Sequence, residues 1–226
     1  MTSPSDGNLA WAEGPALAVI EERERIANEL EGTLAQLLGY VNMKAQSVVE
    51  YLAAGDASGA ARNAEDLVEA ARSAYADLRE SVLGLRTPLT ADRRLSVALQ
   101  SYLEEWQDQT GITVNWDREA AGRVLDSLSP AAEIQLLRII QEALSNARKH
   151  AHADRITLRF GGEGGWLRAT VEDDGVGFDP SSSAALSGSG LLGMRERAAA
   201  VRATLQIDSS PGSGTRVTAR VRLVEG

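Results

Sequence analysis

The stretch Leu136-Leu137-Arg138-Ile139-Ile140-Gln141-Glu142-Ala143-Leu144-Ser145-Asn146-Ala147-Arg148-Lys149-His150-Ala151 decides how the second half of this chain is read. Leu137, Ile140, Leu144 and Ala147 recur at threes and fours, the spacing of an apolar stripe on an α-helix. Upstream, Ser129-Pro130 is an N-cap followed by a first-turn proline, so a helix is predicted from 130 to about 150. On its polar side Glu142 and Asn146 are four apart and share a face, with Lys149 and His150 one further turn along. A carboxylate, an amide and a cation along one helix edge suit a metal-bound nucleotide: oxygens for Mg2+, a cation for phosphate. The same residues are equally the solvated face of an ordinary helix. The stretch alone does not choose.

Working outward, Ile156, Leu158 and Phe160 alternate as a strand, Gly161 to Gly165 turn the chain, and Leu167, Ala169 and Val171 form the return strand. Asp173-Asp174-Gly175-Val176-Gly177-Phe178 follows directly. Its glycines permit a tight turn and close approach to a flat ligand, and a carboxylate at a strand end accepts a hydrogen bond from an exocyclic amine such as that of adenine. An ordinary Asp-Gly turn fits those residues as well. A Ser/Gly-rich stretch at 179–190, read as mobile, leads through Gly188-Ser189-Gly190-Leu191-Leu192-Gly193-Met194 into a helix predicted from Gly190 to Arg202. Free N–H groups at such a helix start favour an anion, although a glycine-rich connector reads the same way. The spacing is not that of the P-loop. Leu205 and Ile207 mark another strand, and Gly212-Ser213-Gly214-Thr215 turns into the last, through Val217, Ala219, Val221 and Leu223. With a helix at about 92–109 and a short strand at 112–116, the expected result is an α/β sandwich, helices on one face of a mixed sheet.

The first half has a different grammar. Ile20, Ala27, Leu34, Val41 and Val48 recur every seven residues; Ala53-Ala54-Gly55-Asp56 interrupts, and Ala64, Ala71, Leu78 and Leu85 resume at sevens. Two long helices joined by a short turn make an antiparallel hairpin. A second copy would complete a four-helix bundle; the alternative is a monomeric hairpin folded onto the rest of the chain. Thr87-Pro88-Leu89-Thr90 punctuates the end. The predicted division is residues 1–14 as a frayed start, 15–88 as the hairpin and 89–226 as the α/β domain, an α+β chain overall. The net charge of −9 argues against direct nucleic-acid binding, and the absence of cysteine excludes thiolate metal sites. No stretch approaches the roughly 20 apolar residues of a membrane helix. The expectation is therefore a cytoplasmic chain, with a membrane role only through a possible upstream region.

Taken together and in order, these elements resemble the ATP-binding domain shared by sensor histidine kinases, gyrase-type ATPases and Hsp90. Residues 136–151 look like the family's N box, Asp173 to Gly177 like its first glycine box and Gly188 to Met194 like its second. The resemblance implies ATP and Mg2+ as cofactors, with Asn146 as the Mg2+ ligand and Asp173 as the adenine reader. It implies Gly175 and Gly177 as close-approach glycines, and Gly188, Gly190, Leu191 and Gly193 as the phosphate loop. Thr215 would support the adenine carboxylate and Lys149 would be a phosphate cation; in a rival reading, an ATPase or serine kinase of the same wider fold, Glu142 would be the base, and the long double-seam hairpin argues against it. Gly190 to Arg197 further resembles the subclass whose response regulators carry LuxR-type DNA-binding domains. A homodimer through the hairpin and a receiver-domain partner are implied as well.

At the reacting position the resemblance breaks. The run Glu24-Arg25-Ile26-Ala27-Asn28-Glu29-Leu30 is similar to the family's start, where the phosphoacceptor histidine and an acidic residue follow. Here Glu31 and Gly32 stand in those places, and Thr33-Leu34-Ala35-Gln36 resumes the pattern. The resemblance therefore implies a kinase core unable to autophosphorylate, or a scaffold that binds ATP and a partner without catalysis. Two origins fit: a natural degenerate kinase, or an engineered variant whose carboxylate blocks phosphorylation or imitates it in part, with about one negative charge against up to ~2 on a phosphoryl group.

Overall fold

A computed structural model describes residues 35, 38–85, 89, 94–182 and 189–224. The expectations for residues 1–34, Glu31 and Gly32 among them, and for Thr87, Pro88, Thr90 and Gly188 lie outside the described residues. The chain divides into two compact units, Met1–Leu85 and Arg86–Gly226.

In the first unit, α1 (residues 38–53) and α2 (Ala57–Leu85) form the helical hairpin. Gly55, at φ 79°, takes the left-handed conformation that ends α1. Asp56 then caps α2, its Oδ1 accepting the Gly59 N–H at 2.8 Å. A Cβ on Gly59 would stand 2.5 Å from the Tyr51 ring, so a larger residue there would have to displace that side chain. Across the hairpin Lys44 Nζ donates to Asn63 Oδ1 (3.1 Å) and to Asp66 Oδ2 (2.6 Å). Val41, Val48, Leu67 and Leu78 are half-buried along the seam. Beside it runs a second row at sevens, Val68, Tyr75 and Val82, exposed by 51%, 66% and 41%. A single hairpin leaves that row uncovered.

The second unit is an α/β sandwich. Its elements are α3 (Leu95–Thr110), β1 (Thr113–Trp116), α4 (Arg118–Leu125), α5 (Pro130–Asn146), β2 (Arg155–Glu163), β3 (Trp166–Asp173), α6 (Ser189–Ala200), β4 (Thr204–Ser209) and β5 (Thr215–Arg222). The five strands lie in the order β1-β2-β3-β5-β4, with β1 parallel to β2 and the other pairs antiparallel. Ile156 and Leu158, Leu167, Ala169 and Val171, and Val217, Ala219 and Val221 form the buried face, alternating with exposed or half-exposed neighbours. The helices supply Leu95, Leu99, Tyr102, Leu103 and Trp106 from α3 and Leu136, Leu137, Ile140 and Leu144 from α5 to the core. Each such side chain stabilises the fold by about 1.5–3 kcal/mol.

Local chemistry sets the element ends. Ser129 caps α5, its Oγ accepting the Ala132 N–H at 3.3 Å, with Pro130 in the first turn. The α-helix is shorter than expected: it stops at Asn146 and widens into a π turn, Ala147–Ala151. The β2–β3 turn is also tighter than the five-residue reading. β2 runs to Glu163, and only Gly164 and Gly165 turn, at φ 59° and 79°, as a two-residue hairpin of type I′ requires. Helix α4 was not foreseen, because eight residues capped by Asp117 carry too little periodicity to read.

One buried carboxylate ties α3 to α5. Arg94 Nε donates to Glu133 Oε1 at 2.6 Å and the Leu95 N–H to Glu133 Oε2 at 3.3 Å. Burial pushes the Glu133 carboxyl above the ordinary glutamate value, and Arg94 pulls it partly back. Arg94→Met will destabilise the fold by about 1–3 kcal/mol in urea unfolding, because it leaves Glu133 buried with only a backbone donor. The stability linked to Glu133 is full below the unfolded glutamate value and is lost as pH rises through the folded one. Glu133→Gln will flatten the stability profile in that window.

Candidate functional site

The site is assembled around the C-terminal end of α5. Glu142 and Asn146, four residues apart on that helix, meet the first turn of α6 at Gly190. A Cβ placed on Gly190 would stand 2.2 Å from Glu142 Oε1 and 3.6 Å from Asn146 Nδ2. The carboxylate and the amide therefore converge on a helix N-terminus, where backbone N–H groups and the helix dipole favour an anion. Leu191 is half-exposed beside them, and Lys149 is exposed on the π turn.

The π turn presents its last carbonyl to the glycine turn after β3. The Val176 N–H donates to Ala151 O at 2.8 Å, and a Cβ on Gly175 would meet the same oxygen at 2.2 Å. Only glycine allows that approach. At the end of β3, Asp173 Oδ1 accepts the Gly175 N–H (3.0 Å) and the Thr215 N–H (3.2 Å). Burial raises the Asp173 carboxyl above the ordinary aspartate value, and Asp174 adds to this; the donors from Gly175 and Thr215 pull it down. Asp174 faces elsewhere, its Oδ1 accepting the Asp154 and Arg155 N–H groups at 3.0 Å.

Gly177 is held at φ 61°, and a Cβ there would lie 2.2 Å from Ser210 O. Gly177→Ala will therefore cost about 2–4 kcal/mol of unfolding free energy, combining left-handed strain with backbone displacement. Urea titration measures it; a loss below about 1 kcal/mol would show that the turn relaxes freely.

Sequence reasoning missed Ser209. Its Oγ accepts the Phe178 N–H at 2.9 Å, donates to Gly214 O at 2.9 Å and lies 3.1 Å from Thr215 Oγ1. No local motif marks it; the antiparallel register that sets Ser209 against Thr215 brings it in. By residue order Gly214 is only a turn residue. It sits at φ 70°, where a Cβ would meet the Asp173 carbonyl oxygen at 2.1 Å. Gly193 lies against Arg197, a Cβ there standing 3.1 Å from Arg197 Nη2.

The donor set suits a magnesium nucleotide. Among the described residues no group of three His, Cys, Asp or Glu side chains is placed to hold a metal by itself. An amide oxygen beside a helix start suited to an anion fits an ion that arrives already ligated by phosphate. The half-buried Asp173 offers its second oxygen as acceptor.

Comparison with known proteins bears on both units. Residues 22–90 match the family model described as histidine kinase, and residues 131–225 match that of the histidine kinase-, DNA gyrase B- and HSP90-like ATPases. The sensor histidine kinase LiaS of Bacillus subtilis is 30% identical over 218 residues, 96% of this chain and 59% of LiaS. The signal transduction histidine-protein kinase/phosphatase DegS of Brevibacillus brevis is 29% identical over 198 residues, 87% of this chain and 50% of DegS. The chain thus spans little more than half the length of these relatives. Among solved structures, the histidine kinase domain of a blue-light activated histidine kinase from Erythrobacter litoralis shares the fold, with a TM-score of 0.51 at 20% identity over 80% of this chain and 96% of that one. No helix among the described residues is long and apolar enough to cross a membrane. With a histidine kinase hairpin followed by an ATPase sandwich, in a chain that aligns along nearly its whole length with a sensor kinase, the protein belongs to the histidine protein kinase family.

Proposed function

We propose that this chain is the catalytic core of a two-component sensor kinase, which binds Mg-ATP and has lost autophosphorylation because Glu31 occupies the acceptor position. The observation that carries the reading is the contact of one helix end with both glycine turns: Gly190 against Glu142 and Asn146, and Gly175 against Ala151. Asp173 reads the exocyclic amine of adenine. The Asn146 amide oxygen takes Mg2+, and the first N–H groups of α6, from Gly190 and Leu191, take phosphate oxygens with Gly188 and Lys149 beside them. Bound ATP would supply the transferable phosphoryl group. The protein's part is positioning and charge neutralisation, as in other phosphoryl transfers.

The functional division is residues 15–88 as the dimerisation and phosphoacceptor hairpin and 89–226 as the ATP-binding domain, with 1–14 as the start of a linker. The open row Val68, Tyr75 and Val82 supports a homodimer, since a second hairpin would cover it as a four-helix bundle does. The receiver domain of a response regulator with a LuxR-type DNA-binding domain is the partner, and the core works in the cytoplasm.

Titration calorimetry of the purified chain tests this: Mg-ATP binds, and omission of magnesium weakens it. No affinity at millimolar nucleotide would end the reading. The Glu31 carboxylate favours a second one, in which ATP is a conformational ligand of a non-catalytic scaffold that holds a regulator or a true kinase.

A further inference from the structure

Arg197, on the inner side of α6, is only 8% exposed. A guanidinium stays charged at any physiological pH, so when buried it must be paired. Its Nη2 lies 3.8 Å from Glu142 Oε2 on the facing helix. The guanidinium also lies against the backbone one turn earlier: a Cβ on Gly193 would stand 3.1 Å from Nη2 and 3.4 Å from Cζ and Nη1. The other oxygen of Glu142 fills the space that a side chain on Gly190 would need. The carboxylate is thus held between Gly190 on one side and Arg197 on the other, beside the Asn146 amide.

We propose that Arg197 is a positioning residue of the nucleotide site. It fixes Glu142 next to Asn146 and the first turn of α6, and Gly193 is glycine to seat that guanidinium rather than to approach a phosphate. The proposal rests on the Mg-ATP reading above. An unpaired carboxylate at this point would repel the triphosphate; paired with Arg197 it is locally neutral and remains a hydrogen-bond acceptor. Gly193 and Arg197 are four apart on one helix face, which gives the contact its geometry.

A mutant cycle on the full chain tests this, with Mg-ATP affinity read by calorimetry and folding by thermal melting. Arg197→Met will weaken Mg-ATP about tenfold, and Arg197→Lys will recover most of that loss, since a cation is restored. In a Glu142→Gln background, Arg197→Met will cost no more than about twofold, because the charge it serves is gone. Gly193→Ala will weaken binding about threefold in the unaltered chain and not at all beside Arg197→Met. If Arg197→Met does not fold, the Lys and Gly193→Ala chains carry the comparison. Equal losses from Arg197→Met with and without Glu142 would overturn the proposal and make Arg197 a direct phosphate contact. A Gly193→Ala loss that persists beside Arg197→Met would overturn it from the other side. Should the unaltered chain bind no Mg-ATP, the reading of the site falls first and this proposal with it.

Discussion

Asp173→Ala will lower Mg-ATP affinity at least about 100-fold, equivalent to roughly 3 kcal/mol. Two losses combine. The ligand loses a charged acceptor, a hydrogen bond of about 1.5–3 kcal/mol. The Gly175 and Thr215 N–H groups lose the oxygen that fixes the turn after β3 and the start of β5. Asp173→Asn separates the two effects: its amide oxygen still accepts from the backbone, but its charge is gone and its NH2 opposes the adenine amine. We expect it to retain the fold and lose about tenfold or more in affinity. The pH dependence has a definite sign. Because burial raises the folded Asp173 pKa, its contribution to folding stability is full below the unfolded value and is lost as pH rises through the folded one. Nucleotide affinity runs the other way, weakening as pH falls through the same value, since the acceptor must be ionised. Calorimetry at several pH values reads both effects; an alanine variant that binds within about threefold of the unaltered chain would remove Asp173 from the site.

At the acceptor position the expected change is from none to some. The unaltered chain, incubated with γ-labelled ATP, will carry no label at Glu31, and Glu31→His will carry an acid-labile phosphoryl group on the imidazole. Transfer in that variant will be slow, because Gly32 offers no carboxylate to take the imidazole proton. Adding Gly32→Asp will raise the rate about 100-fold, the usual scale of a positioned acid or base. Label on Glu31 itself would contradict the loss of autophosphorylation. An unlabelled Glu31→His/Gly32→Asp chain that still binds Mg-ATP would favour the scaffold over the kinase.

What could be read from residue order was whatever depends on neighbours in sequence. Ser129-Pro130 announced its helix because a cap and a first-turn proline act within four residues. Alternating strands and hairpin glycines showed for the same reason, and the resemblance carried the site's motifs to numbered positions. Contacts made by register or by facing helices did not show. Ser209 reaches Phe178 only because β4 pairs with β5, and Arg197 meets Glu142 only because α6 lies on α5. Nor did the strand order, which inserts β5 between β3 and β4. Gly193 takes its place in the glycine motif from residue order alone, whereas the guanidinium of Arg197 lying against it shows only in the structure.

The widened end of α5 couples the two halves of the cradle mechanically. A regular helix advances about 100° per residue, so removing one residue among positions 147–150 would straighten the coil and rotate the Ala151 carbonyl away from the Val176 N–H. The chain's tolerance of length change should accordingly be asymmetric: insertions at the exposed hairpin tip of β2 and β3 pass unnoticed, whereas a single-codon deletion in this short coil unhooks the Asp173 turn from the Asn146 end of α5.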